Sequence, residues 1–278
     1  MKRYTVLTYN FGGCEPIREV LDKDPDAEYI LVTDDVMAES KTWTIVWAHT
    51  DDRLNVWEKC YDVRFHPFEY AQTDIVVRLD ASIEVRKPLT PIIDEFERGK
   101  YDRCLMIHPH RASMQTEYET WCRERGYPQD QAADMLHIMR RLGYDINQYG
   151  LFQNCFEVVR FNRTNQLIND ITYDLLRYAA PDGRIQRINQ TWFSMVVNHL
   201  FSDRLKVMPV SQNIITDGRM MQWYRHGTQE AIKQEPTIAP IIISFFITSA
   251  VVTRSSFARS ETTMVSGYVF RKTSMLAE

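Results

Sequence analysis

Apolar and polar positions alternate with a regular rhythm through the first hundred residues. Tyr4 to Tyr9 is an apolar run of strand length, and Asn10-Phe11-Gly12-Gly13 follows as a loop whose two glycines let backbone come close to a ligand. Pro16 suits the first turn of a helix that places Ile17, Val20 and Leu21 on one face. Glu28 to Thr33 and Thr42 to Trp47 read as the second and third strands. Asp51 and Asp52 then open a short helix through Leu54, Val56 and Trp57. Asp62 to Phe65, Ile75 to Leu79 and Arg103 to Ile107 read as further strands, with a helix from Pro88-Leu89 through Phe96 ended by Gly99. This alternation predicts a mostly parallel sheet with helices on both faces.

The middle of the chain has helical periodicity. Ser113 to Arg125 is stopped by Gly126, and Gln129 to Leu142 by Gly143. Cys155 to Phe161 reads as a returning strand. The amphipathic segments Thr164 to Tyr178 and Ile188 to Phe201 are separated by the turn Pro181-Asp182-Gly183, and Leu205 to Val210 reads as one more strand. From residue 238 the pattern changes. Ile238 to Thr253 and Thr263 to Phe270 are β-branched and aromatic, and the basic residues Arg254, Arg259, Arg271 and Lys272 outnumber the acidic ones. The expected division is therefore a main domain over 1–237 and a β-rich appendage over 238–278. That appendage reads either as a hairpin packed on the sheet or as a basic, apolar surface for peripheral contact with a membrane or a partner chain.

Composition narrows the classes. Of 278 residues, 44% are apolar and 25% charged, enough for a sizeable core. The net charge of -4 gives no reason to expect nucleic acid as a partner. Five scattered cysteines without a C-x-x-C pair read as reduced thiols of an intracellular protein. Met1 leads directly into a strand, leaving no room for a signal peptide, and the run Ile241 to Val252 falls short of the roughly 18 residues needed to span a bilayer. The expectation is a cytoplasmic protein, peripheral on the inner face of the membrane if the C-terminal segment provides the contact.

Candidate chemistry centres on Asp80-Ala81-Ser82, an acidic turn at the carboxyl end of the strand Ile75 to Leu79. In open α/β sheets that edge is where ligands bind. An Asp-x-Asp-like turn there suggests a carboxylate facing a metal bridged to a diphosphate, although Asp also ends strands as a plain turn or cap residue. Just upstream, Lys59, Arg64 and His66 supply positive charge for a diphosphate leaving group or form a solvated edge. His108-Pro109-His110-Arg111, followed by Glu117, begins where another strand ends and reads as a phosphate or sugar contact, or as structural histidines. Asp34 after the second strand would hydrogen-bond a base or ribose. His226 would complete a metal shell.

Taken in order, these segments resemble the GT-A class of glycosyltransferases, more closely a glycosyltransferase-like family with bacterial and plant mucilage-synthesis members. Lys59 with Arg64-Phe65-His66-Pro67-Phe68 resembles that family's Lys...Pro-His-x-x-Phe-Pro region. Arg78-Leu79-Asp80-Ala81-Ser82-Ile83 is similar to its Ile-Asp-Gly/Ser strand end. Ile107 to Arg111 with Glu117-Tyr118-Glu119 resembles a His-Pro-x-Arg...Tyr-Glu-Glu block, and Arg187 to Phe193 an Arg-Asp-Gln-x-Ser-Phe block. Together they span roughly residues 55 to 195. The strand-end turn and His226 also resemble the glycogenin-like retaining transferases, in which an Asp-x-Asp pair and a late His hold manganese.

The resemblance implies a GT-A fold and transfer of a sugar from a nucleotide-diphosphate donor, most simply a UDP-sugar, to a hydroxyl of a saccharide or glycolipid, as in bacterial surface polysaccharide synthesis. Tyr9, Asn10 and Asp34 would hold the nucleotide, with Arg187 among the donor contacts. Asp80, Ser82 and His226 would hold Mn²⁺ or Mg²⁺, weakened because Ser82 stands where the family pattern has a second carboxylate. Lys59, Arg64 and His66 would stabilise the departing diphosphate, while His108, Arg111, Glu117 and Gln190 face the sugar and acceptor. In the last block Asn189 replaces Asp, and the segment also reads as a helix start with Trp192, Phe193, Val196 and Val197 facing the core. A retaining enzyme needs no protein base, whereas an inverting one needs a carboxylate such as Glu117. Retention is the favoured outcome. A sugar nucleotidyltransferase and a non-catalytic glycan-binding or scaffold protein are the alternatives, the first disfavoured because Asn10-Phe11-Gly12-Gly13 lacks the basic residues a triphosphate loop carries.

Overall fold

The computed structural model describes residues 2–48, 54–125, 129–179 and 189–232, together with two short strands further on. A seven-stranded sheet frames the protein. In chain order its strands are β1 (Tyr4–Asn10), β2 (Ala27–Thr33), β3 (Thr44–Trp47), β4 (Ile75–Asp80), β6 (Arg103–Ile107), β7 (Phe152–Arg160) and β8 (Val207–Val210). A separate antiparallel pair joins β5 (Ile83–Val85) to β9 (Met221–Trp223). The order across the large sheet is β3-β2-β1-β4-β7-β6-β8. Parallel pairing links β3, β2, β1 and β4, and also β6 with β8, while β7 runs against both of its neighbours. The helices are α1 (Val56–Phe65), α2 (Thr90–Arg98), α3 (Met114–Arg125), α4 (Gln129–Arg141), α5 (Arg163–Ala179), α6 (Asn189–Met195) and α7 (Asn213–Thr216). The chain is thus α/β, with a mostly parallel, Rossmann-like sheet flanked by helices.

Strand alternation sends successive side chains to opposite faces. Tyr4 and Val6 of β1, Leu31 of β2 and Val77 and Leu79 of β4 share one core with Ile92, Ile93 and Phe96 of α2. Leu7 and Tyr9, Val32, Val76 and Val159 face the other way and pack on Val63 of α1. On that second face Phe65 of α1 meets Phe193 of α6 at 6.4 Å and Tyr173 of α5 at 6.5 Å between ring centres. Burying two such apolar layers supplies the main driving force for the fold, at about 25 cal/mol per Å² of apolar surface.

Five features differ from the sequence expectation. The short helix expected through Val56 and Trp57 forms, started by the reciprocal capping box of Asn55 and Glu58, but it runs on as α1 through Asp62 to Phe65, where alternation predicts a strand. No helix forms around Pro16. Val20 N–H donates to the Thr42 hydroxyl and Leu21 N–H to the Val85 carbonyl, so side-chain and strand acceptors replace helical ones. The returning strand is longer than expected and antiparallel, and the pairing of β5 with β9 has no counterpart in the local pattern. The expected helix from Ile188 to Phe201 is α6 followed by a π-type turn at Val196–Leu200.

The Asp51-Asp52 helix start, Gly126, Pro181-Asp182-Gly183, Arg187 and the run Ile238 to Thr253 lie outside the described residues. The chain divides into two compact units, Met1–Gln234 and Glu235–Glu278. Within the second, β10 (Thr263–Val265) pairs antiparallel with β11 (Tyr268–Phe270). Among the described residues no helix is long and apolar enough to cross a membrane.

Candidate functional site

From β1 the chain moves outward through β2 and β3, then returns to place β4 on the other side of β1. The crevice beyond the carboxyl ends of β1 and β4 is therefore a topological switch point, the usual ligand position in such sheets. Tyr9 and Asp80 are cross-strand neighbours there. The Tyr9 hydroxyl donates to Asp80 Oδ1 at 3.0 Å, and Arg64 Nη2 donates to the same oxygen at 2.7 Å. Arg64 Nε also donates to the Tyr9 hydroxyl at 2.8 Å. Burial alone would depress the Arg64 guanidinium, but Tyr9 and Asp80 hold it above its ordinary value. The Tyr9 phenol is pushed up, first by its burial. Asp80 itself is partly open, its side chain 22% exposed.

The loop after β1 forms the neighbouring wall. Gly12 and Gly13 both have positive φ, 63° and 62°, a pair of conformations that only glycine adopts without strain. Gly12 N–H donates to Asp34 Oδ1 at 2.9 Å, and Lys59 Nζ donates to Asp34 Oδ2 at 3.1 Å. Burial works against the Asp34 carboxylate, but the Gly12 amide and Lys59 together carry it below its ordinary value. The Asn10 side chain is turned into the loop, donating to the Glu15 carbonyl at 2.6 Å and accepting from its N–H at 3.2 Å. One helix, α1, thus delivers Lys59 to Asp34 and Arg64 to Asp80. Cys60 lies between them on α1, its thiol pushed up to about 12 by burial.

A second cluster is built around Glu117 on α3. Its side chain is fully buried and ion-paired through Oε2 to Arg111. Oε1 accepts from Trp121 Nε1 at 2.6 Å and from the Gln190 amide. His108, at the end of β6, is buried, and its Nδ1 accepts from the His110 and Arg111 amides at 3.2 and 3.1 Å. That geometry puts the ring proton on Nε2. Asn189, next to Gln190, accepts from the Asn154 side chain at 3.4 Å.

Of the expected site residues, then, Tyr9, Arg64 and Asp80 come together, as do Asp34 with Lys59 and Arg111 with Glu117 and Gln190. His66 goes elsewhere. It caps α1 with Nδ1 3.2 Å from Asp62 Oδ1 and sits edge-on to Tyr173 at 4.8 Å. Two residues past Arg64 on a helix, it emerges on the opposite side. Glu117 has both oxygens occupied inside the core and no open face from which to accept a substrate proton. His226 is a surface residue, 70% exposed, with Nδ1 2.7 Å from Glu15 Oε1. Ser82 is buried, and its hydroxyl makes no hydrogen bond among the described residues.

These donors do not fit a divalent cation. Mg²⁺ and Mn²⁺ sites are built from several oxygen ligands with carboxylates prominent. Here Asp80 is a single carboxylate already held by Arg64, His226 is engaged with Glu15, and no three His, Cys, Asp or Glu side chains among the described residues gather as a metal site.

Three residues at the site are not among those the sequence singles out: Arg78, Glu157 and Arg103, all buried. The signal for them is a charged residue in the middle of an otherwise apolar strand, as in Ile75-Val76-Val77-Arg78-Leu79 and Cys155-Phe156-Glu157-Val158-Val159. Such residues are almost never fully buried unless paired. The chain matches no protein-family model and no curated protein sequence.

Proposed function

We propose that this protein is a glycosyltransferase that moves a sugar from a nucleotide-diphosphate donor, most simply a UDP-sugar, to a hydroxyl of a saccharide or glycolipid. The observation that carries this reading is the Asp80 carboxylate held by Tyr9 and Arg64 at the switch point. Beside it is a double-glycine turn tied to Asp34 and Lys59. An ionised carboxylate accepts hydrogen bonds from ribose or sugar hydroxyls, and the backbone of a glycine turn lets a nucleotide lie close to the strand end. Lys59 and Arg64 offset charge developing on the diphosphate as it leaves. No cation is needed for these roles, and none is assigned.

The buried state of Glu117 favours retention. In that course the C1–O bond to the diphosphate breaks as the acceptor oxygen bonds C1 from the same face. The acceptor's proton passes to the departing phosphate oxygen, so UDP leaves carrying it. Arg111 and Gln190, anchored by Glu117, shape the acceptor side. Calorimetric titration with UDP, with and without Mn²⁺, combined with an assay of UDP release from a panel of UDP-sugars, tests the reading. Saturable UDP binding that Asp80→Asn weakens supports it. No heat with any nucleotide, or undiminished UDP release in the folded Asp80→Asn variant, overturns it.

A further inference from the structure

The carboxylate at the switch point is held from one side only. Tyr9 and Arg64 bond Asp80 Oδ1, and Arg78 Nη1 stands 3.7 Å from the same atom. Among the described residues, no hydrogen bond or ion pair falls on Oδ2. Behind Asp80 runs a row of alternating charge across three strands. Arg78 on β4 faces Glu157 on β7 in direct cross-strand register, with Nη2 3.5 Å from Oε2. Arg103 on β6 lies diagonally beyond Glu157, its partner in register being Val159. Its Nη2 donates to Asn169 of α5 and its guanidinium lies 5.1 Å over the Phe193 ring. Burial works against the Glu157 carboxylate, yet Arg103 and Arg78 hold it ionised, below its ordinary value.

Arg78 is the hinge of this row. It is fully buried, and none of its three guanidinium nitrogens makes a hydrogen bond among the described residues. Its two contacts, 3.5 Å to Glu157 and 3.7 Å to Asp80, are charge contacts of nearly equal length. The cation is therefore balanced between two carboxylates and locked onto neither. Without the Glu157 charge, Asp80 becomes its remaining carboxylate partner, and repulsion from Arg103 pushes it the same way.

We propose that Glu157 is a positioning residue: by drawing Arg78 back from the switch point it keeps Asp80 clamped through Oδ1 alone and leaves Oδ2 to accept a hydroxyl of the bound nucleotide. The ligand part of this inference rests on the glycosyltransferase reading, and the positional part does not. In Glu157→Gln, Arg78 moves onto Asp80 and competes for Oδ2. Losing one hydrogen bond to a charged acceptor weakens binding by on the order of tenfold or more, the loss in UDP affinity expected here.

The test is calorimetric titration of UDP into wild type, Glu157→Gln and the variant Glu157→Leu/Arg103→Met, which keeps Arg78. Replacing opposite buried charges together by hydrophobic residues of similar volume is often neutral or stabilising, so the double variant carries the test where the single one fails to fold. Weakened UDP binding in either folded variant supports the assignment. Wild-type affinity in either folded variant overturns it, because a merely structural row would leave the switch point undisturbed once folding is preserved. NMR of the Arg64 Nε–H gives a readout that needs no nucleotide. A displaced or faster-exchanging signal in the variants supports repositioning of Asp80, and an unchanged one refutes it. If wild type binds no UDP, the glycosyltransferase reading fails by itself, while the Arg64 signal still decides whether Glu157 positions Asp80.

Discussion

Replacing Glu117 by alanine removes a fully buried carboxylate that accepts from Arg111, Trp121 and Gln190. Among the described residues, those three donors compensate the desolvation of that carboxylate. Taking one partner away from a buried ion pair costs about 3–5 kcal/mol, because the remaining charge and donors lose their acceptor without regaining water. Arg111 is 18% exposed, which permits some rehydration and places the value at the lower end of the range. For a domain of this size a cost of about 3 kcal/mol lowers the thermal midpoint by roughly 6–12 °C, taking 2–4 °C per kcal/mol. Glu117→Gln costs roughly half as much, since its carbonyl satisfies the donors on one side while its amide faces a donor on the other. Urea unfolding followed by tryptophan fluorescence measures both. If Glu117 instead took a proton during turnover, Glu117→Gln would abolish activity at unchanged stability. A Glu117→Ala midpoint within experimental error of wild type would refute the reasoning that this carboxylate is an internal strut.

The other predictions concern the walls of the same site and the far end of α1. The Asp62 side-chain bond raises the His66 pKa, and His66 in turn lowers that of Asp62. The His66 contribution is complete below about pH 6.5, the unfolded value, and is lost as pH rises through its higher folded pKa. The Asp62 contribution is present above about pH 3.9 and is lost as pH falls through its lower folded pKa. Thermal midpoints across pH 4–9 should show a decline above pH 6.5 that is missing in His66→Gln; the same slope in both proteins would contradict the pairing. Gly12→Ala and Gly13→Ala each force a positive φ that costs an L-residue about 1–2 kcal/mol. A Cβ on Gly12 also meets Val56 Cγ2 at 3.0 Å, while one on Gly13 meets nothing within 4 Å, so denaturant unfolding should find Gly12→Ala the more damaging. Asn55→Ala removes the α1 cap and should cost about 0.5–2 kcal/mol, with faster amide exchange in the first turn of α1.

Much of the frame is legible in the sequence because it depends on local pattern. Tyr4 to Tyr9, Ile75 to Leu79 and Arg103 to Ile107 are apolar runs of strand length, and the sheet places each where alternation of strand and helix predicts. The failures are places where a side chain outweighs periodicity. The helix capped by Asn55 and Glu58 runs on through Asp62 to Phe65, expected as a strand, although its apolar residues make no clear stripe, and the residues after Pro16 give their backbone to Thr42 and Val85. The site divides in the same way. Asp80 and Asp34 are legible because a carboxylate after an apolar run marks a strand end. That Arg64 reaches Asp80 while His66 turns to Asp62 is set by helical phase, which becomes visible only once α1 is known to be a helix.

The two faces of the sheet also differ in kind. The face under α2 is apolar from Tyr4 to Met106 apart from buried polar residues such as Thr8 and Thr33, and among the described residues it carries no charged row. The face under α1, α5 and α6 carries Arg64, Arg78, Arg103, Asp80 and Glu157, three guanidiniums against two carboxylates. Buried ion pairs seldom add net stability over apolar residues of equal volume. A requirement for stability alone would therefore favour hydrophobic side chains on β4, β6 and β7 here, as on the opposite face. What the charged row provides that hydrophobic residues do not is direction, since it ends at the partly open Asp80 carboxylate of the switch point. The place where the interior departs furthest from simple packing is thus also the place where the topology opens a ligand crevice, and the two facts have one explanation if the row exists to hold Asp80.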